Sequence, residues 1–305
     1  MIQVLLATYN SEVFLKEQLD SLFAQSCNDF EILINDGGSK DNTLEIISDY
    51  QKRFPDRIRL IGSAPASARE NFSKLLAAAT ADLIMFCDHD DVWKKEKIAA
   101  SLQAYKKMEQ EYGPDFPILV FTDSEIVDTN LVTLLPSMTR SQRLNITHFS
   151  PGRTMIQNYA SGNTMLFNRA LQKLALPMGN SVVMHDHWVA LAAAFFGKVS
   201  YVDTPLILYR QHGNNVLGAF SYNLKSCLKK FFSEANRLHE KIYQQFEQGR
   251  EFLELHADHL SAEQQEFLHT LRHFGKMNKI AKWRFMLKND ILRQKNDLNM
   301  ALPWG

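Results

Sequence analysis

The sequence predicts an α/β fold, a parallel sheet with helices between its strands, followed by a helical C-terminal region. Three observations carry this. Apolar runs of strand length alternate with segments of helical period through the first half of the chain, the pattern of βα units joined by right-handed crossovers. The strands end in polar residues, at Thr8-Tyr9-Asn10, at Asp36 and at Asp88 to Asp91. Parallel strands gather such ends along one edge, where open α/β sheets bind ligands. Beyond about Ala219 the chain becomes helical and charged, with no convincing strand.

Ile2 to Ala7 reads as the first strand; a polar turn, Thr8 to Ser11, leads into a helix whose apolar face is Val13, Leu15, Leu19, Leu22 and Phe23. Glu31 to Asn35 is the second strand. It breaks at Asp36-Gly37-Gly38-Ser39, and Asp41-Asn42-Thr43 can start the next helix. Ile58 to Ile61 is a third strand, Asn71 to Ala79 a helix, Leu83 to Cys87 a fourth strand, and Lys94 to Met108 a helix. Ile118 to Phe121 and Glu125 to Val127 read as two short strands, and residues 130 to 150, without a clear period, as a mobile loop over the cleft. Thr164 to Phe167 is a further strand, Asp186 to Phe196 an apolar helix, and Val199 to Val202 and Leu206 to Tyr209 two closing strands.

The 305 residues suffice for a full hydrophobic core. A formal net charge of zero provides no global field to attract nucleic acid. Cys27, Cys87 and Cys227 are far apart and odd in number, which suits a reducing compartment and argues against a disulfide framework or a zinc site. The start of the chain does not read as a signal peptide, and no run approaches the roughly 20 apolar residues of a membrane span. The expectation is a cytoplasmic protein that can touch a membrane from that side. The stretch from Arg272 to Lys295 interleaves eight basic residues with apolar ones and contains one acid, Asp290. Two readings fit it: a basic amphipathic helix on an anionic membrane, or a helix packed on the domain with a solvated basic face.

The most informative segment is Leu83 to Trp93, an apolar strand that ends in Asp88-His89-Asp90-Asp91. Carboxylates packed this closely repel one another unless something cationic sits among them. Mg²⁺ or Mn²⁺ carrying a diphosphate suits such hard oxygen ligands. The other reading is a solvated acidic turn that caps the next helix.

VLLATYNSEVFLKEQLDSLFAQ, ILINDGGSKDNT and ADLIMFCDHDDVW, with SGNTMLFNRAL and MHDHWVALAAAFFGKVSYVDTPLILYRQHGNNVLG later, resemble glycosyltransferase family 2 in order and spacing. The resemblance covers residues 1–218 and implies the GT-A fold, a nucleotide-binding α/β sheet with a metal-binding DXD motif. Residues 219–305 fall outside it, as a helical region for membrane-surface or oligomer contact. The DHDDVW and YRQHGNNVLG variants are closest to bacterial rhamnosyltransferase-like members, which build O-antigen, capsule or wall polysaccharide. One departure is specific: Asp36 is followed by Gly37 where the family commonly has a second aspartate.

Glycosyl transfer requires a neutralised leaving diphosphate, a deprotonated acceptor hydroxyl and in-line alignment of both at the anomeric carbon. The resemblance implies Asp90 as the direct metal ligand and Asp88 on ribose or a metal-bound water. Asp91 either helps them or caps a helix. Thr8, Asn10, Asp36 and Asp41 lie where a nucleoside should sit, although helix capping accounts more simply for Asp41. Arg69 and Asn71 either line the same pocket or serve as a surface arginine and a helix cap. Asp186 is the candidate general base, at the family's catalytic acidic position, with His185 replacing the preceding acid; the competing role is a helix N-cap. A single base with no second nucleophile implies inversion at the anomeric carbon. Arg210 can pair with the diphosphate, and His212 can ligate the metal or a phosphate oxygen. Ser161, Gly162, Asn163 and His185 are placed on the acceptor side.

These assignments describe an inverting, Mg²⁺- or Mn²⁺-dependent enzyme that moves a sugar, L-rhamnose from dTDP-rhamnose by resemblance, onto a lipid-linked saccharide. UDP-linked hexoses are the alternative donors. A sugar nucleotidyltransferase would need a glycine-rich basic phosphate loop, which Ala7 to Ser11 lacks. A non-catalytic nucleotide-sugar binding protein is the third alternative, against which the intact Asp88, Asp90 and Asp186 argue.

Overall fold

The centre of the sheet is β1 (Ile2–Thr8), a seven-residue strand buried at every position. The computed structural model describes residues 1–142, 144, 146, 149–212 and 243–292. Parallel strands flank β1: β2 (Phe30–Asp36) on one side, followed by β3 (Ile58–Ser63), and β4 (Leu83–Asp88) on the other. Their register aligns Thr8 with Asp36 and Ala7 with Asp88, so the polar strand ends meet on one edge, as the sequence implies. The sheet continues in the order β3-β2-β1-β4-β8-β6-β9-β5, with β7 (Thr133–Leu135) paired to β6. Here β5 is Val92–Trp93, β6 Ile118–Val127, β8 Met165–Asn168 and β9 Lys198–Arg210. β8 is antiparallel to both β4 and β6.

The alternation of side chains along the strands divides the core into two layers. Val4, Leu6, Ile32 and Ile34 face α1 (Leu15–Phe23), α2 (Thr43–Arg53) and α4 (Lys97–Tyr112). Leu5, Leu33, Ile84 and Phe86 face α3 (Ala68–Ala78), α6 (Pro151–Ile156), α7 (Arg169–Ala175) and α8 (His185–Phe196). A short α5 (Met138–Ser141) lies between β7 and α6. After residue 212 the described chain resumes in a helix, α9, covering residues 243–255. α10 (Ala262–Arg272) and α11 (Lys279–Lys288) follow. Phe246, Phe252, Leu268, Phe285 and Met286 from these three helices belong to the same buried cluster as Phe72 of α3 and Trp188 of α8.

Several expected boundaries shift for identifiable reasons. The two short strands on each side of residues 122–124 and of Pro205 are single strands, β6 and β9, whose mutual register slips at Thr122–Ser124. A bulge breaks the alternation that a sequence reading relies on. α4 begins at Lys97 because Val92 and Trp93 pair with β9 first. α3 begins at Ala68 through a Ser67–Glu70 capping box, so Asn71 lies inside the helix and does not cap it. Part of 130–150, expected as a structureless loop, is ordered as β7 and α5. The basic stretch is not one helix. α10 ends at Arg272, and α11 restarts where the Asn278 side chain accepts from Ala281 N at 2.9 Å. The boundary near 218, the turn Gly213-Asn214-Asn215, Cys227, Arg293 and Lys295 lie outside the described residues.

Candidate active site

β4 brings three carboxylates to the sheet edge, and each meets a different environment. Asp91 is fully buried; it accepts Arg210 N at 3.1 Å and the Asn163 side-chain amide. Burial first, then the charges of Asp90 and Asp88, push its pKa well above the carboxylate range. It is thus a structural acid that ties β4 to β9 and to the 3₁₀ turn Gly162–Thr164, and it caps no helix. Asp90 is largely buried, and its Oδ2 lies 2.8 Å from His212 Nε2. Asp88 is half-buried, and among the described residues no donor reaches its carboxylate. Desolvation, then the like charges of Asp90 and Asp186, raise its pKa to about 8.

Asp186 sits in the first turn of α8. One oxygen accepts its neighbour His187 N at 2.7 Å, and the other accepts Gly162 N at 3.1 Å. Burial raises its pKa to about 6, against the pull of those backbone donors. Adjacent residues of one turn therefore bind the two acidic centres: Gly162 holds Asp186 and Asn163 holds Asp91. A side chain at 162 would collide with His185 Nε2 at 2.8 Å. Ser161 leads into this turn, and its carbonyl accepts from Thr164. His185 is buried, stacked on Phe72 at 3.7 Å and edge-on to Phe86 at 4.7 Å. Desolvation alone depresses its pKa to about 3, so the ring is a neutral part of the aromatic layer behind Asp186.

The expected nucleoside residues form a network of hydrogen bonds along the β1–β2 edge. Asp36 is fully buried and accepts from Thr8 Oγ1, Gly38 N, Ser39 N and Ser63 Oγ at 2.8 to 2.9 Å. Burial raises its pKa, but the Ser39, Ser63 and Thr8 hydrogen bonds together outweigh it, and the carboxyl lies below its ordinary value. Its lone pairs hold the Gly37–Ser39 turn. Asn10, at a left-handed φ of 46°, accepts Lys40 N at 2.9 Å. Asp41 accepts Glu12 N and both the amide and hydroxyl of Thr43. Asn71 donates to Thr8 O at 3.4 Å, and Arg69 reaches the carbonyls of Asn180 and Val182. Arg210 is 1% exposed, and its guanidinium bonds Asp90 O, Thr129 O and Glu17. In this structure it fixes the acidic loop and presents no open face to a diphosphate.

Three residues escaped the sequence reading. Tyr9, 53% exposed beside Thr8 and Asn10, is an open aromatic on the same edge. Glu17 partners Arg210 from α1. Lys97 is fully buried with its Nζ 3.7 Å from the centroid of Trp93, and burial lowers its pKa to about 7 while Cys87 and Asp91 oppose that fall. Its setting, Lys94-Lys95-Glu96-Lys97, reads as a solvated helix start, and only its place in the α4 face could have betrayed it.

Among the described residues no three His, Cys, Asp or Glu side chains converge as a ready metal cage. The acids still fit a divalent cation. An uncompensated Asp88 next to Asp90 is what a hard cation relieves, and Mg²⁺ in particular is held by one or two carboxylates together with phosphate oxygens.

Removing the donor to Asp91 tests this electrostatic reading. Asn163→Ala should destabilise the fold by about 1–3 kcal/mol, because the buried Asp91 carboxyl loses a hydrogen-bond donor. A carboxyl with a raised folded-state pKa destabilises the fold increasingly as pH climbs above its unfolded value. Loss of Asn163 raises that pKa further, so in urea denaturation the deficit should be constant below the parent's folded-state pKa and grow as pH rises above it. A deficit that shrinks as pH rises contradicts the reading.

The model for Glycosyl transferase family 2 matches residues 3–171. The chain is 28% identical over 253 residues to the dTDP-rhamnosyl transferase RfbG of Shigella flexneri, covering 77% of this chain and 81% of that one. It is also 28% identical over 227 residues to an uncharacterised glycosyltransferase of Nostoc sp., covering 72% and 68%. Among solved structures, S. aureus TarS 1-349 in complex with UDP-GlcNAc aligns with a TM-score of 0.53 at 19% identity, over 84% of this chain and 72% of that one. The mannosyltransferase PcManGT of Pyrobaculum calidifontis, in complex with GDP-Man and Mn²⁺, aligns with a TM-score of 0.53 at 14% identity, over 95% and 86%. These two share the GT-A fold with this chain. With the matched strands and the acidic edge they carry, this chain belongs to glycosyltransferase family 2 and is a glycosyltransferase.

Proposed function

We propose that the protein is an inverting, metal-dependent enzyme that transfers L-rhamnose from dTDP-rhamnose to a hydroxyl of a lipid-linked saccharide in bacterial surface polysaccharide synthesis. The observation that supports this most directly is Asp186, held by the backbone N–H of Gly162, close enough to Asp88 for their charges to interact, with a pKa that burial raises to about 6. The likeness to RfbG over most of both chains supports the donor.

Each Asp186 oxygen already accepts one backbone N–H and keeps a lone pair for the acceptor hydroxyl. As that hydroxyl oxygen bonds to the anomeric carbon, its proton passes to Asp186, and the bond from carbon to the diphosphate breaks. Asp90 and Asp88, with His212 on Asp90, would hold Mg²⁺ or Mn²⁺, which when bound supplies charge that neutralises the leaving diphosphate. Burial and the like charges of Asp90 and Asp186 favour the protonated form of Asp88, and a bound cation would offset that cost. Thr8, Asn10 and Asp36 shape the nucleoside edge, with Tyr9 offering an aromatic face to the base.

A panel of dTDP- and UDP-sugars with Mn²⁺, scored for donor turnover, tests the assignment. dTDP-rhamnose should be consumed fastest; preference for a UDP-hexose overturns the donor, and inertness of every donor overturns the enzyme. Asp186→Asn should lower transfer by roughly 10²- to 10⁴-fold with nucleotide binding retained. In the parent, kcat should rise with pH through about 6, because the base works deprotonated; a profile flat across that range rules Asp186 out. Asp90→Ala should weaken Mn²⁺-dependent dTDP binding, and an unchanged metal response rejects its role.

No described helix is long and apolar enough to cross a membrane. We place the protein peripherally on the cytoplasmic face through α11, whose solvent side exposes Ile280 and Leu287 between Lys279, Arg284 and Lys288. Ile280→Asp with Leu287→Asp should abolish co-sedimentation with anionic phosphatidylglycerol vesicles. Equal pelleting of parent and variant, or of the parent with neutral vesicles, refutes this placement.

A further inference from the structure

The loop that delivers Asp186 is held by a helix that lies outside the family-matching residues. Residues 176–184 join α7 to α8 without regular structure. On α9, Glu251 accepts Asn180 N at 2.9 Å with one carboxylate oxygen and Ser181 N at 2.6 Å with the other. Gln248, three residues earlier on the same helix and therefore on the same face, accepts Val183 N at 2.7 Å. From the opposite side Arg69 of α3 donates to Asn180 O at 3.1 Å and Val182 O at 3.2 Å. Five backbone groups within four residues are thus bonded by side chains of two helices.

The bonding is close and specific. A Cβ at Gly179 would lie 2.6 Å from the Glu251 carboxyl carbon, so the chain passes directly against that group. Gln248 is fully buried, and its Nε2 has no partner among the described residues. An unsatisfied buried amide costs about 1–3 kcal/mol. The residue is therefore poorly explained as support for α9, and the bond that it does make runs to the loop. Glu251 lies below its ordinary pKa: burial would raise it, but the donors at Ser181 and Asn180 outweigh that, so its charge is present at neutral pH.

We propose that α9 is a working part of the active site, with Glu251 and Gln248 as positioning residues that fix loop 179–184 and so set the placement of Asp186 against the donor. The inference rests on the reading of Asp186 as the base. It predicts a loss in the chemical step with donor binding intact, because misplacement of a reacting group by about 1 Å can lower the rate by about 10²-fold.

The test uses the full chain with Mn²⁺ and dTDP-rhamnose. Glu251→Gln keeps the shape but turns an amide group against one of the two backbone donors. Its kcat should fall by about 10- to 100-fold, with donor KM and the affinity for Mn²⁺–dTDP changed by less than about threefold. Hydrogen exchange at Asn180, Ser181 and Val183 should accelerate. Glu251→Asp, one methylene shorter and still charged, should show the same split, and it carries the test if the first variant fails to fold. A kcat within about twofold of the parent, or a loss that lies wholly in donor KM, overturns the proposal. Asp186→Asn in the same assay separates the two readings. If it is dead while Glu251→Gln is fully active, only the positioning role fails; if it is fully active, the base falls and this inference with it.

Discussion

Four carboxylates drawn into one water-poor corner are the constraint around which this molecule is arranged. Asp88, Asp90, Asp91 and Asp186 come from the end of one strand and the start of one helix, and their mutual repulsion is largest where solvent is excluded. The fold answers three of them. Asp91 receives an amide side chain and a backbone N–H, Asp90 a histidine, and Asp186 two backbone N–H groups at a helix N-terminus. Asp88 alone has no donor among the described residues. The imbalance marks where a ligand's positive charge is needed, so the shape of the acidic edge and its proposed chemistry have one cause.

Two buried cations near these acids, Arg210 and Lys97, are held by other partners. Arg210 is enclosed by Glu17, two carbonyl oxygens and the ring of Phe14 at 4.5 Å, and it buttresses the loop that carries Asp90. Lys97 lies under Trp93, close enough to Asp91 to feel its charge. Arg210 bonds the backbone of Asp90, and Lys97 lies within reach of the charge of Asp91. Buried charges fixed in place in this way are what a preorganised electrostatic site requires.

Much of this was legible in the chain. Strand–helix alternation placed β1 to β4 within a residue or two, because β1, β2 and β4 are buried on both faces and the strands are bounded by polar turns. The convergence of Asp36 with Thr8, and of Asp88 with the same edge, followed from parallel register alone. What could not be read depends on tertiary partners. Asp91 and Asp90 are neighbours in sequence, yet one is walled in by Asn163, and nothing local announces that. Arg210 carries the charge of a phosphate binder, but its place on the last strand turns it inward. His185 stands beside the proposed base in sequence and stacks behind it in space. The reach of α9 back to loop 179–184 spans about seventy residues and leaves no short-range signal.

The turn at Gly162–Thr164 acts as a ruler. The amide of one residue holds Asp186 and the side chain of the next holds Asp91, so a single peptide unit sets the spacing of these two acids, which in the proposed mechanism stand at the two ends of the reaction. Under the proposed mechanism, sugars of different size or stereochemistry would be accommodated by residues outside this turn, because the two acids keep their spacing. A lineage could change those residues for new acceptors and leave the ruler untouched, while one inserted residue at 162 would detune every substrate at once.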